Sequence, residues 1–194
     1  VSEGIITFDH ADIYGGYTTE ESFGKALAES GILRENIQLI SKCGIQYVCD
    51  AKPYKIKHYD YSKNHIISSV NQSLKNLKTD YLDVLLLHRP SPLLNAEEVT
   101  ETITLLKEEG KILHFGISNF LPHQTELLQR YISIDFNQIQ FSATHYQPMT
   151  NGELDFMQVH DIKPMAWNPL GSVFREDTEQ TQRLKMLLAD LILK

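Results

Sequence analysis

Two hydrophobic periods alternate along the chain. Short apolar runs that favour β-strands lie at residues 5–9, 37–41, 81–87, 112–116, 136–141 and 163–167. Apolar residues with helical spacing predict helices at 18–30, 62–78, 95–110, 122–131, 153–160 and 175–194. Strands that alternate with helices favour parallel βα units over an antiparallel sandwich. The pattern therefore predicts an α/β fold.

Capping residues mark some of the helix boundaries. Thr18-x-x-Glu21 has the pattern of a capping box, and Gly31 follows the end of the same helix. Asn95-x-x-Glu98 opens a later helix in the same way. The longest connection, residues 45–61, shows little periodicity. It is interpreted either as a functional loop over the rim of the fold or as an ordinary surface loop.

Composition limits the classes of function. Of the 194 residues, 18 are Lys or Arg and 25 are Asp or Glu, so the formal charge is −7 and we expect neither nucleic acid nor an anionic membrane as the main partner. No apolar stretch approaches the roughly 20 residues that span a bilayer. Cys43 and Cys49 match no common zinc or redox spacing and are expected to be free thiols. We therefore expect a cytoplasmic protein.

No metal site is expected. The chain has eight histidines, but none of them forms an H-x-x-x-H or H-E-x-x-H pair on a predicted helix. The carboxylates are scattered along the chain. His10, next to Asp9, would face the opposite side of its strand and is interpreted as a packing residue.

Four polar residues lie at or just past the ends of predicted strands. Asp9 and Tyr14 follow the first apolar run, Lys42 follows the second, and His88 follows the third. In folds built from βα units, chemistry is concentrated at the carboxyl ends of the strands. Any one of these residues could be an ordinary rim residue, so the combination of the four carries the interpretation.

Together the four residues resemble the catalytic tetrad of the aldo-keto reductases. The resemblance implies that Tyr14 is the general acid in carbonyl reduction and that Lys42, if it lies within a few ångströms, stabilises the phenolate. Asp9 would pair with Lys42 and hold it charged. A neutral His88 would donate an N–H to the carbonyl oxygen.

The resemblance extends from about Thr7 to about Gly171. Gly116-Ile117-Ser118-Asn119-Phe120 is similar to the family segment whose Ser and Asn bind the nicotinamide carboxamide, and Gln140 would make another contact to that amide. Trp167-Asn168-Pro169-Leu170 is similar to a family turn whose aromatic ring stacks on the nicotinamide. The cofactor contacts that the resemblance implies are Asp9, Ser118, Asn119, Gln140, Trp167, Asn168 and Leu170.

Two alternatives to these cofactor roles remain open at this stage. Trp167, the only tryptophan, could be a core anchor. Ser118 and Asn119 could cap the helix that begins near Pro122. His88-Arg89-Pro90 departs from the commoner family sequences and resembles a bacterial subgroup, in which this loop would shape the substrate pocket.

The family resemblance implies a (β/α)8 TIM barrel, which takes roughly 250 residues. Only six strands are predicted here, so we expect the first and eighth strands of the barrel to lie outside the chain. Residues 1–194 would then be a single barrel domain, incomplete at both ends, within a longer polypeptide. The loop that binds the 2′-phosphate of NADP would also lie outside it, so a preference for NADPH rests on the family alone.

The expected function is that of an NADPH-dependent oxidoreductase that reduces an aldehyde or ketone to an alcohol. A non-catalytic NADP(H)-binding regulatory subunit on the same barrel is the alternative. A third interpretation makes Lys42 a Schiff-base nucleophile, although an adjacent Asp9 suits that chemistry less well. The small-molecule carbonyl substrate and the oligomeric state are left open by the sequence.

Overall fold

The structure, a computed structural model, describes residues 1–192. Its strands are β1 (Thr7–Asp9), β2 (Gln38–Cys43), β3 (Ile45–Gln46), β4 (His58–Tyr59), β5 (Leu82–Leu87), β6 (Ile112–Ser118), β7 (Phe136–Gln140) and β8 (Lys163–Trp167). Its α-helices are α1 (Thr19–Ser30), α2 (Lys63–Leu77), α3 (Ala96–Glu108), α4 (Pro122–Gln129), α5 (Glu153–Val159) and α6 (Glu179–Ile192).

Six of the strands form one curled parallel sheet in the order β1-β2-β5-β6-β7-β8. Each strand is therefore paired with the next large strand along the chain, as right-handed βα units require. The pairing register places Asp9 beside Ile40, Lys42 beside Leu86, and Gln140 beside Trp167. All six carboxyl ends consequently lie at one edge of the sheet. The predicted α/β fold and the six parallel strands are confirmed.

The two faces of the sheet are packed differently. The outer face packs against the helices in one large core that includes Leu39, Leu85, Phe115 and Ile139, all at most 3% exposed. The inner face carries a smaller cluster, formed by Ile40, Val84 and Leu86 with Phe136 and Met165 packed against it. Because side chains alternate between the two faces, the residue two positions after each member of the inner cluster also points inward.

The first predicted strand begins later than expected. The apolar run starts at Ile5, but β1 covers only Thr7–Asp9, and the Ile5 and Ile6 side chains are 64% and 44% exposed. β1 is an edge strand of the sheet, so these two residues have a neighbour on one side only.

The capping box expected at Thr18 is wrong. The Thr18 hydroxyl donates to the Gly15 carbonyl at 2.9 Å instead of capping α1, and Glu21 forms an ion pair with Lys25. The Asn95 cap is confirmed, because its side-chain oxygen accepts bonds from two backbone N–H groups in the first turn of α3.

The last predicted helix also starts late. A turn ends at Arg175, residues 176–178 have no regular secondary structure, and α6 begins at Glu179. The prediction for Leu193 and Lys194 lies outside the described residues. None of the helices seen between residues 1 and 192 has the length and apolar character needed to cross a membrane.

The connection at 45–61 is folded against the turn that follows β1. Its two ends pair as the antiparallel ribbon β3–β4. The Tyr17 hydroxyl accepts a bond from the Tyr47 N–H at 2.9 Å, which fixes the loop beside that turn. A functional role for this loop over the rim stays a prediction.

Candidate active site

The candidate site consists of inward-facing polar residues at the carboxyl ends of all six parallel strands. Lys42, His88 and Trp167 each lie two positions after Ile40, Leu86 and Met165 of the inner cluster. The same alternation directs Asp9, Ser118 and Gln140 inward at the ends of β1, β6 and β7. One edge of the sheet thus collects the tetrad residues on one side and the candidate cofactor residues on the other.

The turn after β1 brings Tyr14 back over β2. Backbone pairing continues past the strand, since the His10 N–H donates to the Ile40 carbonyl and the Asp12 N–H to the Lys42 carbonyl at 3.0 Å. The chain then reverses through a bond from the Tyr14 N–H to the Ala11 carbonyl. As a result, Tyr14 is held beside Lys42 although 28 residues separate them in sequence.

Lys42 is the centre of the tetrad. Its Nζ lies 2.8 Å from both carboxylate oxygens of Asp9, 2.9 Å from the His10 carbonyl oxygen and 3.2 Å from the Tyr14 phenol oxygen. The Lys42 side chain is only 1% exposed, so it needs the counter-charge of Asp9 to remain an ammonium. Because the ammonium donates to the Tyr14 oxygen, the phenol proton stays available for another acceptor.

His88 is held as a neutral imidazole. Burial, with smaller contributions from the positive charges of Lys42 and Arg89, lowers the pKa of His88 to about 3. Its Nδ1 is buried without a hydrogen-bond partner, so the tautomer that suits the site carries its proton on Nε2. The ring meets the Tyr14 ring edge-on, with centroids 5.9 Å apart. Nε2–H and the Tyr14 hydroxyl are thus two donors in one small region.

Ser118, Asn119 and Trp167 are joined by hydrogen bonds. The Asn119 side chain donates to Ser118 Oγ at 2.7 Å and accepts from Trp167 Nε1 at 2.8 Å, while Ser118 Oγ donates to the Gln138 carbonyl. Asn119 adopts a positive φ of 61°, which turns the chain so that its amide reaches the indole. These bonds hold the indole ring in a fixed orientation at the end of β8.

A cavity of about 320 Å³ adjoins these residues, and Asn119, Gln140, Trp167 and Arg89 line it. An aromatic ring and two amides with unused hydrogen-bonding capacity suit a flat ligand that carries an amide group. The residues present therefore fit a nicotinamide. Ser118 itself does not line this cavity.

Four of the seven expected cofactor residues, Asp9, Ser118, Asn168 and Leu170, do not line this cavity. Asn168 and Leu170 occupy the turn after β8, where Arg175 donates to the Asn168 side chain at 3.0 Å and to the Gly171 carbonyl at 2.8 Å. The Leu170 side chain is 65% exposed. The structure brings Asp9, Ser118, Asn119, Gln140 and Trp167 to the edge of the sheet, and it does not bring Asn168 or Leu170 to the cavity wall.

Sequence reasoning missed the residue that fixes the loop after His88. The Tyr61 hydroxyl accepts a bond from the Arg89 N–H at 3.1 Å and donates to the Arg89 carbonyl. Gly44 makes room for the Tyr61 ring, which a Cβ at that position would overlap. Only a three-dimensional contact reveals this role, since nothing in 45–61 distinguishes Tyr61 from the other tyrosines there.

A second polar cluster lies behind the tetrad turn, between α1 and α2. Burial, with a smaller contribution from nearby Glu20, raises the pKa of Asp12 to about 7 despite a 2.8 Å bond from Ser69. Glu20 is 2% exposed and accepts a bond from the Ser41 hydroxyl at 2.6 Å. These groups brace the turn that carries Asp9 and Tyr14. Within residues 1–192, no three His, Cys, Asp or Glu side chains meet in a way that could hold a metal ion.

Curated relatives align with nearly the whole chain. The chain is 49% identical over 193 residues to the uncharacterized oxidoreductase YcsN of Bacillus subtilis, and the alignment covers 97% of this chain and 64% of that protein. It is 43% identical to a 6-dehydroglucose reductase of Agrobacterium fabrum (88% and 59% covered) and 31% identical to a putative voltage-gated potassium channel subunit beta of Schizosaccharomyces pombe (87% and 50% covered). The chain thus spans less than two thirds of the length of these relatives.

A solved structure and a model of a protein family show a similarity that agrees with that to the curated relatives. An aldo/keto reductase from Klebsiella pneumoniae in complex with NADP and acetate superposes with a TM-score of 0.76 at 25% identity, covering 97% of this chain and 62% of that one. The model of the aldo/keto reductase family matches residues 1–187. The chain therefore belongs to the aldo/keto reductase family.

Proposed function

We propose that this protein reduces the carbonyl group of an aldehyde or ketone to an alcohol and that Tyr14 is the proton donor. The observation that carries the proposal is the 3.2 Å contact between Lys42 Nζ and the Tyr14 oxygen, with Lys42 itself held by Asp9. An ammonium beside a phenol stabilises the phenolate that remains after proton transfer. A purely structural lysine would have no need of the Tyr14 contact.

The proposed proton path uses only groups at this edge of the sheet. The His88 Nε2–H binds the carbonyl oxygen and orients it toward the Tyr14 hydroxyl. Tyr14 then gives its proton to that oxygen, and the negative charge left on the phenol faces Lys42. Asp9 keeps Lys42 charged throughout, so the charge that develops on Tyr14 is balanced at once.

A nicotinamide cofactor, when bound, supplies the hydride for this reduction. We propose that Asn119, Gln140 and Ser118 hold its carboxamide and that the Trp167 ring packs on the nicotinamide. The Klebsiella pneumoniae relative, whose structure contains NADP, supports NADP(H) as the cofactor. Roles for Asn168 and Leu170 in binding the same cofactor stay predictions.

The test is Tyr14→Phe in the full-length protein. We expect NADPH-dependent reduction of a panel of aldehydes to fall on the order of 100-fold or more, as loss of a general acid predicts. NADPH should still quench the fluorescence of Trp167, the only tryptophan in the sequence. Tyr131→Phe, at a 46% exposed residue that follows α4, is the matched control. Carbonyl reduction that survives intact in Tyr14→Phe would overturn the proposal.

A cofactor-binding regulatory subunit is the competing proposal, and the similarity to a putative potassium channel subunit is the observation that favours it. NADPH binding without turnover of any carbonyl in the wild type would support it. The Schiff-base interpretation is disfavoured by the structure, because a nucleophilic amine must be neutral and Lys42 is paired with Asp9.

We also propose a cytoplasmic location. Cys43 and Cys49 are both free, and Cys43 is buried in the core with a pKa raised well above its ordinary value by that burial. Free thiols are usual in a reducing compartment. Microscopy of a fluorescent fusion of the full-length protein, together with cell fractionation, tests the location.

A further inference from the structure

Arg89 is the charged group of the site that neither the proton path nor the cofactor contacts use. It directly follows His88, and its guanidinium carbon lies 5.6 Å from the centroid of the Trp167 ring. The side chain is half-buried and lines the cavity of about 320 Å³ together with Asn119, Gln140 and Trp167. The guanidinium thus lies beside the proposed platform for a nicotinamide, on the residue that follows the histidine that would bind a carbonyl.

The Arg89 backbone is fixed at both of its polar groups by the Tyr61 hydroxyl. The backbone of His88 is fixed as well, because its backbone N–H donates to the Cys43 carbonyl at 2.9 Å. Tyr61 is 6% exposed and packs against Gly44. The two bonds between its hydroxyl and the Arg89 backbone, called the Tyr61 clamp below, are therefore anchored in the core. The Arg89 Cα atom therefore has a defined position relative to His88 and Lys42.

The guanidinium itself has no acceptor. Across residues 1–192 it makes no ion pair and donates no hydrogen bond, although a guanidinium has five N–H donors. Arg34 shows the usual arrangement, because it donates to Asp83, to Thr79 and to two backbone carbonyls. The acidic residue in the wall of the same cavity is Glu153, and it accepts a bond from Asn151 instead. Arg89 thus presents unsatisfied donors to the cavity.

From this arrangement we propose that Arg89 recognises a carboxylate on the substrate, so that the protein prefers aldehydes or ketones that also carry a carboxylate. This inference rests on the proposed function. The nicotinamide ring and its carboxamide carry no negative charge, so they offer no counter-ion to a guanidinium beside their platform, and a substrate carboxylate would supply one. The planar fork of a guanidinium matches the two oxygens of a carboxylate.

The first experiment compares 4-carboxybenzaldehyde with its methyl ester, in which the negative charge of the carboxylate is replaced by a neutral ester. In the wild type we expect the acid to have the higher kcat/KM. In Arg89→Met the ratio of kcat/KM for the acid to that for the ester should fall on the order of 10- to 100-fold, mainly through KM for the acid. Arg130→Met removes the same charge from an exposed position at the end of α4 and should keep the wild-type ratio.

Two outcomes of this experiment overturn the inference. If kcat/KM falls equally for the acid and the ester in Arg89→Met, Arg89 affects the site without recognising the charge of the substrate. A loss on neutral glyceraldehyde that matches or exceeds the loss on 4-carboxybenzaldehyde would mean that Arg89 binds hydroxyl groups.

A second measurement needs neither turnover nor cofactor, and it separates failure of this inference from failure of the proposed function. Benzoate bound at Arg89 should change the fluorescence of Trp167, whereas neutral benzamide should not. The change should be lost in Arg89→Met and kept in Arg130→Met. If no carbonyl is reduced by the wild type, the proposed function fails, and this titration still decides whether Arg89 is a carboxylate site. A benzoate response that Arg89→Met retains would overturn the inference.

Discussion

The Lys42 ammonium lies 2.8 Å from each carboxylate oxygen of Asp9, with 1% of the lysine and 38% of the aspartate side chain exposed. Asp9→Asn removes the counter-charge of a buried cation, so we expect kcat for aldehyde reduction to fall on the order of 100-fold. Asp155→Asn, at an exposed position on α5, is the control for loss of one carboxylate.

A double-mutant cycle tests whether this pair acts as a unit. If Asp9 serves catalysis only through Lys42, Asp9→Asn combined with Lys42→Met should cost no more activity than Lys42→Met alone. Losses that multiply in the double variant would show that Asp9 acts on the reaction by another route.

His88 should remain neutral across the pH range in which the enzyme is assayed. Its pKa is lowered to about 3, chiefly by burial, so between pH 5 and pH 9 it should contribute no limb to the pH profile of kcat/KM. NMR of histidine-labelled protein across this pH range checks this. Protonation of His88 between pH 5 and pH 7 would contradict the neutral-donor role.

The same pKa shift has a consequence for stability. In the unfolded chain His88 takes up a proton below about pH 6.5, whereas in the folded protein it does so only near pH 3. The free energy of unfolding should therefore fall as the pH drops from about 6.5 towards 3. His88→Gln should weaken this dependence in urea unfolding measured at pH 7 and pH 4.5.

Asp12 should make the protein less stable as the pH rises. Its pKa is raised from 3.8 to about 7, mainly by burial, so the folded protein holds a proton that the unfolded chain releases between about pH 4 and pH 7. The stabilisation is complete below pH 4 and is lost as the pH passes through about 7. Asp12→Asn keeps an acceptor for Ser69 and cannot ionise, so its Tm should decline less between pH 5 and pH 8 than that of the wild type. Asp190→Asn, exposed on α6, should decline as the wild type does.

Gly44 should not tolerate a side chain. Its φ is 109°, and a Cβ there would overlap the Tyr61 ring, so Gly44→Ala should lower the free energy of unfolding by about 2–4 kcal/mol. Gly31→Ala is the control, because Gly31 also has a positive φ but no atom lies within 4 Å of the added Cβ; it should cost about 1 kcal/mol. Equal losses in the two variants would mean that packing against Tyr61 contributes nothing.

The sequence was sufficient to predict the elements that position the site. The apolar runs that end at Asp9, Lys42 and His88 are long enough to be recognised as strands, and parallel βα units place strand ends together regardless of detail. The end of β8 at Trp167 was likewise predictable, since Asn168-Pro169 interrupts the run. Local sequence patterns determine where a strand ends, and the parallel topology brings these strand ends together at one edge of the sheet.

The interactions that tune the site could not be predicted. The Tyr61 clamp on Arg89 joins positions 28 residues apart in a segment without periodicity, and only the folded path of 45–61 brings them together. The capping box predicted at Thr18 was wrong because the Thr18 hydroxyl donates to the Gly15 carbonyl in the preceding turn. Asn168 and Leu170 follow a family pattern, yet here Arg175 holds their turn beside the chain that leads to α6.

The strict alternation of side chains between the two faces of the sheet ties the chemistry to the core. A slip of one residue in the pairing of β2 would bring Ser41 or Cys43 to the position of Lys42, and it would also turn Leu39 from the dry helix-facing layer towards the interior. The same holds for β5, where a slip would exchange His88 for Leu87. Errors of register are therefore penalised by residues such as Leu39, which lie far from any substrate. The accuracy of the site depends on the packing of the helices against the opposite face of the sheet.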